Sequence, residues 1–239
     1  MIPSILRSPG PIGVFDSVYG GLSILDKIRR LMPEYDYIYL GDSARCPYGP
    51  RSFEVVYEFT LQAVSKLFEL GCPLVILACN TASAKALRTI QQINLPVIDA
   101  TRRVLGVIRP TAECIGEITR SRHVGILATA GTIKSESYLL EIHKLSPDIV
   151  VTGEACPMWV SLVENNEYQS EGADYFVKQH INRLLDKDPM IDTIILGCTH
   201  YALLLDKIRQ FTPEPIRIIS QGEYVDRSLR DYLNRLPVM

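Results

Sequence analysis

The 239-residue chain has no apolar run long enough to cross a membrane, because even its longer runs, such as Leu74–Cys79, soon end. It also has no excess of basic charge: 25 Lys and Arg residues stand against 27 Asp and Glu residues, and the formal net charge is −2. This balance provides no attraction for nucleic acid or for an anionic membrane surface. The N-terminal stretch MIPSILRSPGPIG has no long apolar core, so we expect no signal peptide and a cytoplasmic location.

Cysteine and histidine are few and scattered. The six cysteines form no CxxC pair, and neither they nor the four histidines have the spacing of a zinc site. We therefore expect reduced thiols and no bound metal. Most free cysteines are small buried hydrophobes, which is the role we expect for Cys46, Cys72, Cys114 and Cys156. No GxGxxG or GK[ST] motif accompanies Gly20-Gly21, which argues against a phosphate-binding loop.

Short apolar runs alternate with longer segments of helical period along the whole chain. We predict strands at 12–15, 37–40, 74–78, 96–99, 123–128, 149–153, 191–196 and 215–219. Helices are predicted near 24–31, 52–70, 82–91, 134–144, 170–186, 202–211 and 223–235. This alternation indicates an α/β fold, in which mostly parallel sheets are flanked by helices.

Two matched landmarks indicate an internal duplication. GVFDS at 13–17 and GILAT at 125–129 each form a strand that ends in small polar residues. LACNTAS at 77–83 and LGCTHYA at 196–202 each form a later strand that ends in cysteine and two polar residues. The same order in both halves predicts two similar α/β lobes, with a break near residues 99–121.

Polar side chains follow most of the predicted strands. They are Asp16, Ser17, Asp42, Cys79, Asn80, Thr81, Thr129, Thr132, Cys198, Thr199 and His200. Because ligands of open parallel sheets bind at the carboxyl ends of the strands, we expect these groups to meet in a cleft between the lobes.

The two strand-end cysteines, Cys79 and Cys198, have a specific chemical meaning. A thiol just before a helix N-terminus faces the positive end of the helix dipole, which is expected to lower its pKa and favour thiolate. Two such thiols on opposite faces of one carbon would invert a stereocentre, since one removes a proton while the other delivers one. A disulfide-exchange pair and two independent buried cysteines remain alternatives at this point.

Six segments taken together resemble the glutamate racemases, of the cofactor-independent aspartate/glutamate racemase superfamily. They are DSVYGGLSIL (16–25), GDSARCPYG (41–49), ACNTAS (78–83), GILATAGTIKS (125–135), ACPMWVSLVE (155–164) and GCTHYALL (197–204). The resemblance implies a bacterial isomerase that interconverts L- and D-glutamate without pyridoxal phosphate or metal, for peptidoglycan synthesis, cell wall biogenesis and cell shape. It implies a homodimer, and two lobes that close over the substrate, here 1–99 plus 214–239 and 100–213.

The resemblance also assigns roles by position. Cys79 would be the base for D-glutamate and Cys198 the base for L-glutamate, as the two bases of one mechanism. Asp16 would assist Cys79, while His200 would assist Cys198 and Glu164 would support His200. The positions that match substrate-binding residues are Asp16, Ser17, Tyr48, Gly49, Asn80, Thr81, Thr129, Thr132, Thr199 and His200.

The chain departs from the family pattern at four positions. Val18 replaces a glycine, so either the loop is shifted or this position needs no positive φ. Ala202 replaces a proline at a helix start, which should be mild. Arg109 and Ser220 stand where acids are common, outside the thiol sites. None of these changes removes a predicted catalytic group.

Three other functions remain open from the sequence. A racemase for aspartate or another small acid would differ in the depth of its pocket. A binding or regulatory protein could keep the pocket without turnover, but the presence of Cys79, Cys198, Asp16 and His200 argues against this. Thiol redox work would suit a CxxC pair better than two distant cysteines.

Overall fold

Residues 10–235 are described by the computed structural model, and they contain two parallel four-stranded sheets of the same topology. The first sheet has the order β2-β1-β3-β4 and the second has the order β6-β5-β7-β8. The strands are β1 Ile12–Asp16, β2 Tyr37–Gly41, β3 Leu74–Leu77, β4 Arg103–Gly106, β5 His123–Ala128, β6 Val150–Ala155, β7 Thr193–Gly197 and β8 Arg217–Ile219. The predicted class of two similar α/β lobes is confirmed.

Helices cover both sheets. They are α1 Leu22–Leu31, α2 Phe53–Glu69, α3 Asn80–Lys85, α4 Leu87–Thr89, α5 Leu95–Ile98, α6 Ile108–Ile118, α7 Ala130–Lys134, α8 Ser137–Leu145, α9 Pro157–Glu164, α10 Glu171–Lys187, α11 Leu205–Phe211 and α12 Gly222–Arg235. A π-helical segment spans Ile90–Asn94, and a 3-10 helix spans Thr199–Leu204.

The two longest helices, α2 and α10, each begin and end within one residue of their predicted bounds. Ser52 caps α2 by accepting a hydrogen bond from the backbone N–H of Val55 at 3.3 Å. Gly71, with a φ of +88°, follows the end of α2 in a conformation that glycine adopts without a steric cost. Ser170 caps α10 in the same way, through the backbone N–H of Ala173 at 3.2 Å.

The central strands are apolar because helices pack on both of their faces. All residues of β1, β3 and β7 are buried, whereas each edge strand has partly exposed residues. On one face of the first sheet, Ile12 and Val14 pack against Ile28 of α1 and against Leu229 of α12. The last helix therefore returns to the first lobe.

Sheet membership corrects the predicted lobe boundaries of 1–99 plus 214–239 and 100–213. Residues 96–99 do not form a strand, because Pro96 lies in the first turn of the helix α5, where proline is well tolerated. The fourth strand is β4, which pairs with β3 and so belongs to the first sheet, while β8 pairs with β7 in the second. We propose a division at 10–106 plus 220–235 and 107–219; residues 1–9 and 236–239 of the prediction lie outside the described residues.

Several shorter elements also differ from the prediction. The expected helix at 134–144 is two helices, α7 and α8, separated by Ser135 and Glu136, and Glu136 has a φ of +54°. The segment 82–91 is divided among α3, α4 and the π-helical residues. Within residues 10–235, no helix has both the length and the apolar character that a membrane span requires.

Candidate active site

The carboxyl ends of the central strands meet at a cavity between the two sheets. Cys79 lies two residues beyond β3, and Cys198 directly follows β7. The cavity has a volume of about 140 Å³, which is small beside the roughly 300–1,000 Å³ of sites for drug-sized ligands. It is lined by Ser17, Val18, Pro47, Tyr48, Gly49, Pro50, Cys79, Asn80, Thr81, Thr129, Ala130, Cys156, Pro157, Val160, Ser161, Cys198, Thr199 and His200.

Cys79 occupies the N-cap position of α3, where the first backbone N–H groups of a helix are free. Its Sγ accepts a hydrogen bond from the backbone N–H of Ala82 at 3.4 Å and donates one to Oγ of Ser17 at 3.5 Å. The side chain is only 5% exposed. The first thiol is therefore buried, with two polar partners.

Asp16 ends β1 and is fully buried between the two half-sites. Its Oδ2 accepts a hydrogen bond from the backbone N–H of Gly21 at 2.9 Å and one from the hydroxyl of Thr199, across the lobes, at 3.5 Å. Oδ1 is buried and has no hydrogen-bond partner among the described residues. Burial raises the pKa of this carboxyl group, and the charge of His200 opposes the shift. A buried acceptor without a partner costs free energy. Its presence here is consistent with a functional role for Asp16.

Cys198 faces a histidine that is held by a carboxylate. Sγ of Cys198 lies 3.8 Å from Nδ1 of His200, and Nε2 of the same ring makes a short hydrogen bond to Glu164, the last residue of α9. The ring of Tyr19 covers His200 with a centroid distance of 5.7 Å. The carboxylate and the aromatic ring together orient the imidazole so that Nδ1 faces the thiol.

Both thiols titrate at higher pH than the helix-dipole argument predicts. Burial raises the pKa of the Cys79 thiol to about 11, and the neighbouring Asp16 carboxylate adds to the shift. Burial raises the pKa of Cys198 further, although backbone N–H groups, first that of His200, oppose the shift. The expectation of a lowered thiol pKa is therefore wrong for this closed cavity, because desolvation outweighs the helix N-terminus.

Three threonine hydroxyls form a triangle that joins the lobes. Oγ1 of Thr81, at the start of α3, lies 2.9 Å from Oγ1 of Thr129 and 3.3 Å from Oγ1 of Thr132 in the second lobe. Oγ1 of Thr129 and Oγ1 of Thr132 are 3.1 Å apart. All three side chains are buried. Because hydroxyl hydrogens can rotate, this group can donate several hydrogen bonds to one carboxylate.

The remaining predicted binding residues are held by hydrogen bonds within the protein. The hydroxyl of Tyr48 donates to Oδ2 of Asp42 at 2.5 Å, and the side-chain amide of Asn80 is bonded to Gln221. The carbonyl oxygen of Gly49 accepts from the N–H of Gly131 in the other lobe at 3.0 Å. A Cβ on Gly131 would lie 2.5 Å from that carbonyl oxygen, so the lobes approach each other there at backbone distance.

The structure brings most of the predicted site residues to this cavity. Asp16, Thr132 and Glu164 do not line it but contact residues that do. The lining residues that the sequence analysis did not assign include Cys156, Pro157, Val160 and Ser161. Cys156 follows the carboxyl end of β6, so the strand-end rule that identified the other residues could also have found it. Its expected packing role is also present, since it is fully buried in the core of the second lobe.

Val18 resolves one question that the sequence left open. The described non-glycine residues with positive φ are Arg122, Glu136 and Asn166, so Val18 has no positive φ. Its side chain is buried, and its carbonyl oxygen accepts a hydrogen bond from the hydroxyl of Tyr39 at 2.9 Å. A β-branched residue therefore fits this loop without backbone strain.

The fold and the site together define a class of protein: a two-lobed α/β protein with one buried thiol at a matched strand end of each lobe. A family model described as Asp/Glu/Hydantoin racemase matches residues 12–223, and the chain belongs to this family. It is accordingly an enzyme of the racemase type. The resemblance found in the sequence motifs is thereby confirmed.

Individual relatives agree with this assignment. The chain is 39% identical over 238 residues to a glutamate racemase of Roseobacter denitrificans, covering 95% of this chain and 87% of the relative. A glutamate racemase isoform of Bacillus anthracis has a TM-score of 0.88 and 36% identity, with coverage of 95% and 83%. A glutamate racemase of Francisella tularensis, solved in complex with D-glutamate, has a TM-score of 0.83 and 32% identity, with coverage of 95% and 81%.

Proposed function

We propose that this enzyme is a glutamate racemase that interconverts L- and D-glutamate by proton transfer between two thiols. The observation that carries the proposal is the pair of buried cysteines, Cys79 and Cys198, which line one small cavity from two lobes. A single base would tend to return the proton to the face that it left. Two bases on opposite faces of the α-carbon invert its configuration, because one removes a proton while the other delivers one.

In the L-to-D direction, the thiolate of Cys198 removes the α-proton, so that the C–H bond breaks and an S–H bond forms. The electron pair left on the α-carbon is delocalised into the adjacent carboxylate, and the thiol of Cys79 donates its proton to the opposite face. The D-to-L direction reverses both transfers. His200, supported by Glu164, assists Cys198 from 3.8 Å, and Asp16 assists Cys79.

The raised thiol pKa values make the charge of the substrate important. With both thiols neutral at pH 7, one must pass its proton to a base before the reaction begins, and His200, with Nδ1 3.8 Å from Sγ of Cys198, is placed to accept it in the L-to-D direction. A substrate ammonium group beside a thiol favours the thiolate, because an opposite charge a few ångströms away lowers a pKa. The threonine triangle and the first backbone N–H groups of α3 supply donors for carboxylate groups.

Glutamate is the substrate that the similarities support. The relatives described above, which are 32–39% identical over nearly the whole chain, are glutamate racemases, and one of them was solved with D-glutamate bound. We further propose that the enzyme acts in the cytoplasm as a homodimer and supplies D-glutamate for peptidoglycan. Light scattering of the purified protein tests the dimer.

The decisive experiment incubates the enzyme with L-glutamate in D₂O without added cofactor and follows optical rotation together with loss of the α-proton signal. We expect inversion and exchange, and loss of inversion in both Cys79→Ser and Cys198→Ser. Full activity in both variants would contradict the two-thiol mechanism. Inversion of aspartate but not glutamate would instead identify an aspartate racemase.

A further inference from the structure

Three buried polar side chains form a network at one edge of the cavity, and two of them, Tyr138 and Gln221, have no part in the reaction described above. They are Asn80, the first residue of α3, Tyr138 of α8, and Gln221, just before α12. We call them the amide–phenol cluster. Each of the three is at most 4% exposed.

The hydrogen bonds within the cluster are mutual. Nδ2 of Asn80 donates to Oε1 of Gln221 at 2.7 Å, and Nε2 of Gln221 donates back to Oδ1 of Asn80 at 2.9 Å. The hydroxyl of Tyr138 donates to the same Oδ1 of Asn80 at 2.7 Å and also accepts from Gln221. A fully satisfied buried network of this kind is rigid, because losing one partner leaves the others unpaired.

The cluster also joins the two places where the chain passes between the sheets. Val107 lies between β4 of the first sheet and α6, and Gln221 lies between β8 of the second sheet and α12. Nε2 of Gln221 is 3.3 Å from the carbonyl oxygen of Val107. One side chain therefore contacts both connections between the lobes.

Each end of the cluster adjoins one of the reactive thiols. Asn80 directly follows Cys79 in the chain. At the other end, the ring of Tyr138 packs on Gly197, the residue before Cys198: a Cβ on that glycine would lie 3.1 Å from Cε2 of the ring. The cluster thus spans the distance between the two thiol-bearing strand ends.

We propose that Gln221 is a positioning residue: through Asn80 and Tyr138 it fixes the placement of Cys79 relative to Cys198. The proposal rests on the proposed two-thiol reaction. Such a reaction depends on the separation of the sulfurs, and a misplacement of about 1 Å can reduce an enzymatic rate about 100-fold. The residue acts through its neighbours and does not touch the reacting carbon.

The first test measures racemisation kinetics of Gln221→Ala and Tyr138→Phe. We expect kcat to fall about 10-fold in each variant while KM changes less than about twofold, because the thiols are displaced and the carboxylate donors remain. The double variant should be about as slow as the slower single variant, since both act through Asn80. Gln91→Ala is the matched control: it removes a glutamine-to-carbonyl hydrogen bond of 2.7 Å to Val104, in the outer part of the first lobe, and should retain wild-type kcat.

The second test does not require turnover. Iodoacetamide labelling, quantified for each cysteine by mass spectrometry, should modify Cys79 and Cys198 at least about threefold faster in Gln221→Ala, because the strand ends are no longer held together. Cys72, which is buried elsewhere in the first lobe, should stay as slow as in the wild type. Faster labelling of all three cysteines would indicate general unfolding and overturn the inference.

The outcomes separate this inference from the proposed function. A wild-type enzyme that does not invert glutamate would contradict the function alone, and the labelling rates would still decide the role of Gln221. Wild-type kcat together with unchanged labelling in Gln221→Ala would overturn the inference, as would multiplicative losses in the double variant. If Gln221→Ala does not fold, Tyr138→Phe, which removes a single hydroxyl, decides the question by the same two measurements.

Discussion

The two thiol half-sites share a backbone plan but differ in the groups around the sulfur. Each cysteine follows a central strand, and each neighbouring strand, β1 or β5, ends beside it. At the end of β1 stands Asp16, whereas the matching position of β5 is Ala128. The second half-site receives its polar partner from His200, two residues after the thiol.

The helices that follow the two thiols differ as well. Cys79 caps the α-helix α3 and accepts a backbone hydrogen bond from Ala82, whereas Cys198 precedes a 3-10 helix and makes no side-chain cap. The pKa of Cys79 is raised less than that of Cys198, and burial is the largest cause of both shifts. The two half-sites thus share the strand and the sulfur but differ in the groups that surround the sulfur.

Variants with a single thiol test this comparison most severely. In Cys198→Ser, the rate of inversion should fall about 1,000-fold, within the range attributed to general acid–base groups. This variant should still exchange the α-proton of D-glutamate through Cys79. Cys79→Ser should exchange only L-glutamate. Proton NMR in D₂O measures exchange of each enantiomer, with Cys114→Ser in helix α6, whose cysteine does not line the cavity, as the control. Exchange of both enantiomers by either variant would contradict the assignment of faces.

Replacement of His200 should slow exchange of one glutamate enantiomer, and replacement of Asp16 should slow exchange of the other. In His200→Asn, we expect exchange of L-glutamate to slow about 100-fold and exchange of D-glutamate to slow much less, because His200 faces Cys198. Asp16→Asn should give the converse pattern, since Asp16 influences Cys79. The same exchange measurement applies, and equal losses for both enantiomers in either variant would sink the idea of separate half-sites.

Alkaline stability should reveal the raised thiol pKa values without substrate. The pKa of Cys79 rises from 9.0 to about 11 on folding, so the unfolded thiol ionises first and stability is lost as pH rises through this window. At pH 10.5 the loss should be about 2 kcal/mol, and Cys79→Ser should remove it. Urea unfolding at pH 8 and pH 10.5 measures the difference. Cys198→Ser should remove a similar loss, because both folded thiols stay mostly protonated at pH 10.5, and an alkaline loss unchanged from the wild type in both variants would contradict the raised thiol pKa values.

The contact between the lobes can be tested at Gly131, where an added Cβ would lie 2.5 Å from the Gly49 carbonyl oxygen. Gly131→Ala should hold the lobes apart and raise KM for glutamate about 10-fold, because the carboxylate donors no longer converge. Steady-state kinetics measures this. The control is Gly172→Ala in α10, where the added Cβ meets only Ser170 Oγ at 3.5 Å. A KM unchanged from the wild type in Gly131→Ala would show that closure at this point does not matter.

Much of the fold followed from local patterns. The buried central strands, the serine caps of α2 and α10 and the glycine after α2 all follow from side-chain chemistry within a few residues. The prediction was wrong at 96–99, where an apolar run bounded by proline and aspartate is a helix, because short apolar runs do not distinguish strand from buried helix. The edge strand β4 was missed because it has only four residues and is only partly buried.

The site was predictable to a similar degree. Cys79, Cys198 and their neighbours were identified because residues after parallel strands meet at one edge. Gln221 and Tyr138 carried no such signal, since neither follows the end of a central strand. Their pairing with Asn80 joins residues far apart in the chain, and no local pattern encodes it.

By itself, the sequence determined that this chain makes two α/β halves, each with a thiol at a strand end, because periodicity and strand-end chemistry are local properties. Only the tertiary structure decided how the halves face each other, which residues complete the cavity and how strongly the thiols are desolvated. Those features depend on distances between groups that are remote in the chain. Burial then reversed the pKa shift that the helix N-terminus alone would have caused.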